Sequence, residues 1–251
     1  MMKSILLTND DGCLSEGIIG LRDLISDQYD VTIVAPDRER SAISMALTLH
    51  HPLRIDRVGE NVFSIDGTPA DCINVAVQRI LKKKPDFIVS GMNLGENLSE
   101  DVLFSGTVGG AFAGFLYGIP SMAVSVIPDF QDPGKPLYDF ESAARQTMII
   151  LKKLIPLGQN VVYNVNIPSN HNGKMMVTTL GRKRYKPEII EKRDPRGRLY
   201  YWIGTGHPDY QGEQGTDIWA VQNKYISVSV LRYDLNCGVD KKPFSGLFDE
   251  T

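Results

Sequence analysis

The sequence has few cysteines, and their spacing gives them no shared structural role. The chain of 251 residues contains Cys13, Cys72 and Cys237, and no two of them have CxxC spacing. A chain of this length buries enough surface to fold without covalent or metal cross-links. The pattern therefore argues against a disulfide framework and against a thiolate zinc site.

Long apolar runs and an excess of basic charge are also missing. The formal net charge of −3 gives the chain no overall attraction to nucleic acid or to an anionic membrane. No apolar run approaches the roughly 18 residues that span a bilayer, and the N-terminus lacks the apolar core and cleavage site of a signal peptide. We therefore expect a cytoplasmic protein with no membrane partner and no specific nucleic-acid partner.

Several catalytic signatures are absent. The sequence contains no P-loop, no GxGxxG fingerprint and no GxSxG nucleophile elbow, and Gly12 means that Asp10 does not begin a DxD motif. Cys13 follows two acidic residues that would raise the pKa of its thiol, so we expect a small buried filler. The histidines lack paired metal-ligand spacing, and we expect each to be structural or exposed: His50, His51, His171 and His207.

Strand-like and helix-like segments alternate along the first two thirds of the chain. Apolar runs without polar alternation are typical of strands buried on both faces of a parallel sheet. The runs are Ser4–Thr8, Val31–Ala35, Phe87–Ser90, Met122–Val126 and Val161–Val165. Segments with apolar residues at helical spacing lie between them, at Ile73–Leu81, Val108–Leu116 and Phe140–Ile155. The alternation predicts an α/β fold, a three-layer, doubly wound and mainly parallel sheet of Rossmann-like type.

The last third of the chain has a different character. Residues 181–216 are rich in Gly, Arg, Lys, Tyr and Pro, and Tyr225–Val230 alternates like a half-exposed strand. We expect a core domain at residues 1–180 and an extension at 181–251 that carries a β-hairpin and caps the sheet or reaches a neighbouring subunit. Residues 182–198 hold eight Lys or Arg against three Asp or Glu. A solvated hairpin face is the favoured interpretation, and a mouth that attracts a polyanionic substrate is the alternative.

Two adjacent carboxylates follow the first predicted strand, in the sequence Thr8-Asn9-Asp10-Asp11-Gly12. Neighbouring carboxylates repel each other, and the pKa of one rises unless a cation lies beside them. Gly12 allows a tight turn at this point. A metal site and a plain turn, with one Asp as the N-cap of a helix beginning near Glu16, are both open interpretations.

Polar residues follow the other predicted strands at the same sheet edge, where doubly wound folds bind their ligands. Ser41 lies in a charged loop after the second run, and Asn93 and Asn97 follow the third. Ser105, Gly106 and Thr107 open a helix whose N-terminus favours a phosphate, although each hydroxyl taken singly also fits ordinary N-capping. Because the donors are all oxygen atoms, this edge would select Mg²⁺ or Mn²⁺.

Taken together, the motifs resemble those of the SurE family, metal-dependent 5′/3′-nucleotidases. The matching segments run nearly end to end: TNDDG (8–12), APDRERSA (35–42), LTLHHPLR (47–54), GTPADC (67–72), SGMNLGEN (90–97), SGTVGGA (105–111), GIPSMAVS (118–125), NVNIP (164–168), LGRKRY (180–185), DPRGRLYYWIG (194–204) and GTDIWAV (215–221). The departures are few. Phe104 stands where the family often has Tyr or His, Ser99 replaces a frequent Gly, and Met45 occupies an often polar position.

The resemblance implies both a site and an activity. One divalent cation per subunit, Mg or Mn, would be held by Asp10, Asp11, Ser41 and Asn93, with Asn97 and residues 105–107 (Ser105, Gly106 and Thr107) lining the phosphate pocket. The family hydrolyses nucleoside 5′- and 3′-monophosphates, in some members short-chain polyphosphate, is typically cytoplasmic, and forms homodimers or homotetramers through C-terminal arms.

These residues suggest single-metal phosphomonoester hydrolysis, with Asp10 closest to the attacking water either as base or purely as ligand. A non-catalytic nucleotide-binding module that senses phosphate esters is the main alternative. An acyl or glycosyl hydrolase is disfavoured by the missing nucleophile elbow and by the lack of two well-separated acid/base carboxylates.

Overall fold

A nine-stranded, mostly parallel sheet forms the centre of the molecule. The computed structural model describes residues 2–132, 135–186, 188–204, 208–234 and 238, so His207, Cys237 and residues 239–251 lie outside the described part. The strands in chain order are β1 (Ser4–Thr8), β2 (Asp30–Pro36), β3 (Ile55–Gly59), β4 (Val62–Ile65), β5 (Phe87–Leu94), β6 (Ser121–Ile127), β7 (Asp129–Asp132), β8 (Lys135–Leu137), β9 (Val162–Pro168), β10 (Met175–Thr178), β11 (Arg182–Arg184), β12 (Glu188–Arg193), β13 (Leu199–Gly204), β14 (Asp209–Gln211) and β15 (Ile226–Leu231).

Helices cover both faces of this sheet. They are α1 (Glu16–Ile25), α2 (Pro69–Val75), α3 (Gly106–Leu116), α4 (Phe140–Leu154) and α5 (Asp217–Gln222), with 3₁₀ turns at Ser99–Leu103 and Ile155–Leu157 and a π-helical turn at Ala76–Ile80. None of the helices in the described part of the chain combines the length and the apolar character that a membrane span requires.

The strand order places the carboxyl ends of β1 and β5 at the topological switch point of the sheet. The order is β10-β15-β9-β6-β5-β1-β2-β4-β3, with parallel pairs from β9 through to β4. The chain moves outward from β1 first toward β2 and later toward β5, which leaves a crevice between the two directions of winding. Ligands of open α/β sheets bind in such a crevice.

The three-layer prediction is confirmed by how the strand residues divide between two cores. Ile5 and Leu7 pack with α1 and α4 on one face, whereas Leu6 packs with α2 and α3 on the other. All three side chains are almost fully buried. Apolar residues are needed on both faces, which explains why the predicted strands show no polar alternation.

The expectation of a half-exposed strand at Tyr225–Val230 is wrong. Strand β15 lies inside the sheet, antiparallel to β9 and parallel to β10. Ser227 and Ser229 are buried, and the Thr178 hydroxyl lies within hydrogen-bonding distance of both of their hydroxyl oxygens, at 2.7 and 2.8 Å. Satisfied hydroxyls therefore produce alternation without solvent exposure.

Between residue 180 and α5, the chain leaves the sheet and forms two small antiparallel units. One is the expected hairpin, β12 paired with β13, and the other is β11 paired with β14, which we call the β11–β14 ribbon. The chain then returns to the central sheet through β15. The division into domains at residue 180 stays a prediction.

The histidines and cysteines that the structure describes have structural or exposed positions. His50 and His51 are exposed, and the His171 Nε2 atom lies 2.9 Å from the Ser142 hydroxyl. Cys13 is buried as expected, and burial is the main reason that the pKa of its thiol is raised. The sequence pattern does not predict the hairpin of β3 and β4, because β3 is short and exposed and lacks a buried apolar run.

Candidate active site

The acidic turn after β1 is held by Asn9 rather than by either aspartate. The Asn9 amide donates to the Gly12 carbonyl at 2.9 Å and to the Ser15 hydroxyl at 2.7 Å. Gly12 has φ +105°, a conformation that favours glycine. Ser15 is the N-cap of α1. Because neither Asp caps the helix, the alternative interpretation of this motif as a plain N-capping turn is excluded.

Asp10 is buried against the N-terminus of α3. Its Oδ2 atom accepts the Thr107 backbone N–H at 3.1 Å, and its Oδ1 atom accepts the Thr107 hydroxyl at 2.5 Å. A Cβ atom on Gly106 would lie 2.8 Å from Asp10 Oδ2, so glycine is required for this close approach. Burial raises the pKa of Asp10, and the hydrogen bonds from Thr107 lower it. The effect of burial is larger, so the net pKa is raised. The helix N-terminus therefore orients a carboxylate that burial alone would disfavour.

Asp11 carries an unsatisfied carboxylate oxygen. Its Oδ2 atom is buried without a hydrogen-bond partner in the described structure. Burial first, and then the charges of Asp10 and Glu39, raise the pKa of Asp11 to about 7. Glu39 was not singled out from the sequence. An orphaned buried oxygen beside further carboxylates is the arrangement that a bound cation would satisfy.

Ser41 and Asn93 approach this corner from β2 and β5. The exposed Ser41 hydroxyl donates to Glu39 at 2.7 Å, and the Asn93 amide donates to the Gly95 carbonyl at 2.9 Å. Pairing between β5 and β6 shifts between Ser90 and Asn93, which changes the direction of the strand end. Both side chains line the same cavity as Asp10.

That cavity, called here the first cavity, has a volume of about 320 Å³ and opens at the switch point of the sheet. It brings together five of the residues predicted from sequence: Asp10, Ser41, Asn93, Asn97 and Ser105. Asp11, Gly106 and Thr107 are not among the residues that line it, although each adjoins a lining residue in the chain or contacts Asp10. Thr107 was expected to line the phosphate pocket, but its backbone N–H and its hydroxyl both donate to Asp10.

Asn97 is fixed by a buried network of amides. Its backbone N–H donates to Asn166 and its side-chain amide to Ser125, both at 2.8 Å. Its carbonyl accepts the side-chain amides of Asn164 at 2.8 Å and of Asn166 at 3.1 Å. Ser105 is equally constrained, since its hydroxyl caps α3 by accepting the Val108 N–H at 3.1 Å. These bonds pre-organise the cavity wall.

Lys183 brings a buried positive charge to the first cavity. Its side chain is 8% exposed, and its Nζ atom lies 2.7 Å from Asp101 Oδ2 and 3.2 Å from Glu96 Oε1. Tyr185 and Tyr210 place their rings 5.3 and 5.2 Å from the same nitrogen. Burial lowers the pKa of Lys183, but the Asp101 hydrogen bond and the two carboxylates outweigh it, so the net pKa is raised. The amine therefore stays charged.

Sequence reasoning gave Lys183 no individual role. The feature of the sequence that could have indicated Lys183 is the basic stretch 182–198. Within it, Lys183 of β11 is buried, whereas its neighbours Arg182 and Arg184 are exposed. In the described part of that stretch, Lys183 is the basic residue that lines the cavity, while the β12–β13 hairpin has the exposed surface that was favoured. The exposed hairpin fits the solvated-face interpretation, and the substrate-attracting mouth stays a prediction.

The residues present fit a small divalent cation. Their donor atoms are carboxylate, hydroxyl and amide oxygens, which suit Mg²⁺ or Mn²⁺. The orphaned Asp11 oxygen has no hydrogen-bond partner in the described structure, and burial, the largest cause, raises the pKa of both Asp10 and Asp11. Among the described residues, no group of three or more His, Cys, Asp or Glu side chains has the arrangement of a metal site.

Comparison with known proteins identifies the family of the chain. The family model described as "Survival protein SurE" matches residues 5–187. The chain belongs to the SurE family. The family match includes every residue of the first cavity, Lys183 and Tyr185 among them.

Individual SurE proteins resemble the chain over most of its length. One named "5'-nucleotidase SurE" from Citrifermentans bemidjiense is 43% identical over 238 residues, covering 92% of this chain and 93% of the relative. Another of that name, from Caldanaerobacter subterraneus subsp. tengcongensis, is 41% identical over 245 residues and covers 92% of each. The crystal structure of the SurE protein from Aquifex aeolicus matches with a TM-score of 0.78 at 38% identity, covering 92% of this chain and 94% of that one.

Proposed function

We propose that the chain is a divalent-metal-dependent phosphomonoesterase that hydrolyses nucleoside 5′- and 3′-monophosphates to nucleoside and phosphate. Short-chain polyphosphate is a second substrate in the same proposal. Relatives named 5'-nucleotidase SurE, at 43% and 41% identity, support it. The structural observation that carries it is the buried Asp10 carboxylate, fixed by both Thr107 donors at the wall of a polar cavity.

In this proposal Asp10, Asp11, Ser41 and Asn93 hold one Mg²⁺ or Mn²⁺ ion. The ion would supply Lewis-acid chemistry, lowering the pKa of a water molecule and polarising a phosphoryl oxygen. Asp10 is the residue nearest the attacking water. Thr107 acts as a positioning residue, because its two hydrogen bonds set the direction of the Asp10 carboxylate.

The substrate phosphate is held on the other side of the first cavity. Ser105 and Gly106 at the start of α3, together with Asn97, face the phosphoryl oxygens. Lys183 adds a positive charge from the β11–β14 ribbon. An ammonium group has three donors, and Asp101 and Glu96 use two of them, which leaves one for a phosphoryl oxygen.

Phosphate release from a substrate panel tests this function. We expect the wild-type protein with Mn²⁺ to release inorganic phosphate from nucleoside 5′- and 3′-monophosphates and from short polyphosphate, and to lose this activity in excess EDTA. Mn²⁺ should also raise the melting temperature, because an ion that binds only the folded state stabilises it. The Asp11→Asn variant should show a smaller Mn²⁺ shift than the wild type, with Asp23→Asn on α1 as the matched control.

Other outcomes would separate the alternatives. Binding of nucleoside monophosphates without phosphate release would identify a sensing module. Release that persists in EDTA, together with an unchanged melting temperature in Mn²⁺, would contradict the metal-dependent mechanism.

The proposal also places the protein in the cytoplasm as a homodimer or homotetramer. The buried free thiols of Cys13 and Cys72 fit a reducing compartment. The β12–β13 hairpin has apolar residues on both faces, with Ile189 opposite Ile203 on one and Ile190 opposite Trp202 on the other. Ile203 is 80% exposed and Trp202 61%. A two-stranded unit with such surfaces is marginal alone and suits an interface between copies of the chain.

An Ile203→Glu variant is therefore expected to dissociate the oligomer. Burying a new carboxylate in an apolar interface without a partner is unfavourable, so the variant should elute as a monomer. Size exclusion with light scattering measures the mass, and Lys192→Glu on the same hairpin is the control. A wild-type monomer, or an Ile203→Glu protein of unchanged mass, would argue against this role of the hairpin.

A further inference from the structure

A second cavity lies beside the first and has a different character. Its volume is about 260 Å³, and it shares Glu96 with the first cavity. It opens where β6 and β9 end, at Ile127 and Pro168, and α5 and Tyr210 of the β11–β14 ribbon close its other sides. The two cavities therefore lie at the same edge of the sheet, on either side of one side chain.

The linings of the two cavities differ in charge. The first is lined by Asp10, Asp101 and Lys183, whereas the second has apolar walls that include Leu98, Ile218 and Val221. Glu96 is the charged residue in the described lining of the second cavity. Its Oε1 atom accepts hydrogen bonds from the Tyr210 hydroxyl at 2.6 Å and the Lys183 amine at 3.2 Å, so this oxygen is already engaged by residues of the β11–β14 ribbon.

Building on the proposed function, we propose that the second cavity binds the nucleobase of the substrate while its phosphate occupies the first. A nucleoside monophosphate has a dianionic end and a flat, largely apolar end, which is the same division of charge that the two cavities show. The side chains of Asn170 and Gln222 at the second cavity supply hydrogen-bonding groups for the polar edge of the base. The ribose would pass over Glu96, which belongs to both cavities.

The Val221→Phe variant tests this assignment, because a larger ring fills the second cavity without touching the first. The measurement compares kcat/KM for adenosine monophosphate with kcat/KM for ribose 5-phosphate, which carries the same phosphate but no base. We expect the wild type to favour the nucleotide and the variant to lose about tenfold or more of that ratio. Gln222→Ala should lower the ratio to a smaller extent. Val177→Phe, at a 76% exposed position on β10, is the matched control and should keep the wild-type ratio.

The ratio is informative even if a variant is partly unfolded, because a smaller amount of active enzyme lowers the measured kcat/KM for both substrates by the same factor. A wild-type ratio near one, or wild-type ratios in both Val221→Phe and Gln222→Ala, would overturn the assignment. A selective fall of the ratio in Phe104→Ala alone would place the base instead at the mouth of the first cavity. If the wild type released phosphate from neither substrate, the proposed function itself would fail, which is a distinct result.

Discussion

An Asp10→Asn variant is expected to remain folded and to lose about 10²–10⁴-fold in kcat, the range seen when a positioned acid–base group is removed. The amide keeps the size of the carboxylate but not its charge. Both Asp10 oxygens now accept hydrogen bonds from Thr107. In the variant the amide oxygen can still accept the Thr107 N–H and the NH₂ group can donate to the Thr107 hydroxyl oxygen, so the side chain keeps its direction and loses its charge.

The fold should tolerate this change well. Burial raises the pKa of Asp10, which means that its charged form is disfavoured. The charge of Asp10 in turn contributes to the raised pKa of Asp11. Removing one negative charge relieves both effects, so the melting temperature in EDTA should not fall. The exposed Asp23→Asn substitution on α1 controls for an amide introduced elsewhere. Turnover near the wild-type value would remove Asp10 from the mechanism.

The central strands and the edge that carries the site could be predicted from the sequence, because both depend on local patterns. Runs such as Ser4–Thr8 are apolar on both faces, and the residues that follow parallel strands meet at one edge. The sequence alone therefore predicts that Asp10, Asn93 and Ser105 lie at one edge, and all three line the first cavity.

Long-range contacts could not be predicted in the same way. The basic residues of 182–198 are alike in sequence, and only the pairing of β11 with β14 determines that Lys183 is buried while Arg184 is exposed. The use of Thr107 by Asp10 is also a contact between distant segments, 97 residues apart. The second cavity depends on α5 and on Tyr210, which come from the part of the chain with the weakest periodicity.

A Lys183→Met variant is expected to lose substrate affinity and stability together. Methionine keeps the length of the side chain and removes its charge. Asp101 and Glu96 then share a poorly solvated site without a cation, a change that costs about 3–5 kcal/mol when a buried ion pair is broken. The lost donor should lower kcat/KM for nucleoside monophosphates by about 10²-fold, the order expected for one pre-organised group at a phosphoryl oxygen.

A double variant separates these two effects. Asp101→Asn added to Lys183→Met removes the more buried of the two uncompensated charges, since the Asp101 side chain is 11% exposed and that of Glu96 27%, and it should recover part of the lost melting temperature. It leaves the cavity without its cation, so KM for the nucleotide and the inhibition constant for inorganic phosphate should both stay high. Arg184→Met, the exposed neighbour on β11, is the control and should match the wild type. If Lys183 only supports the fold, the double variant will recover phosphate affinity along with stability. That result would show that Lys183 does not bind the substrate.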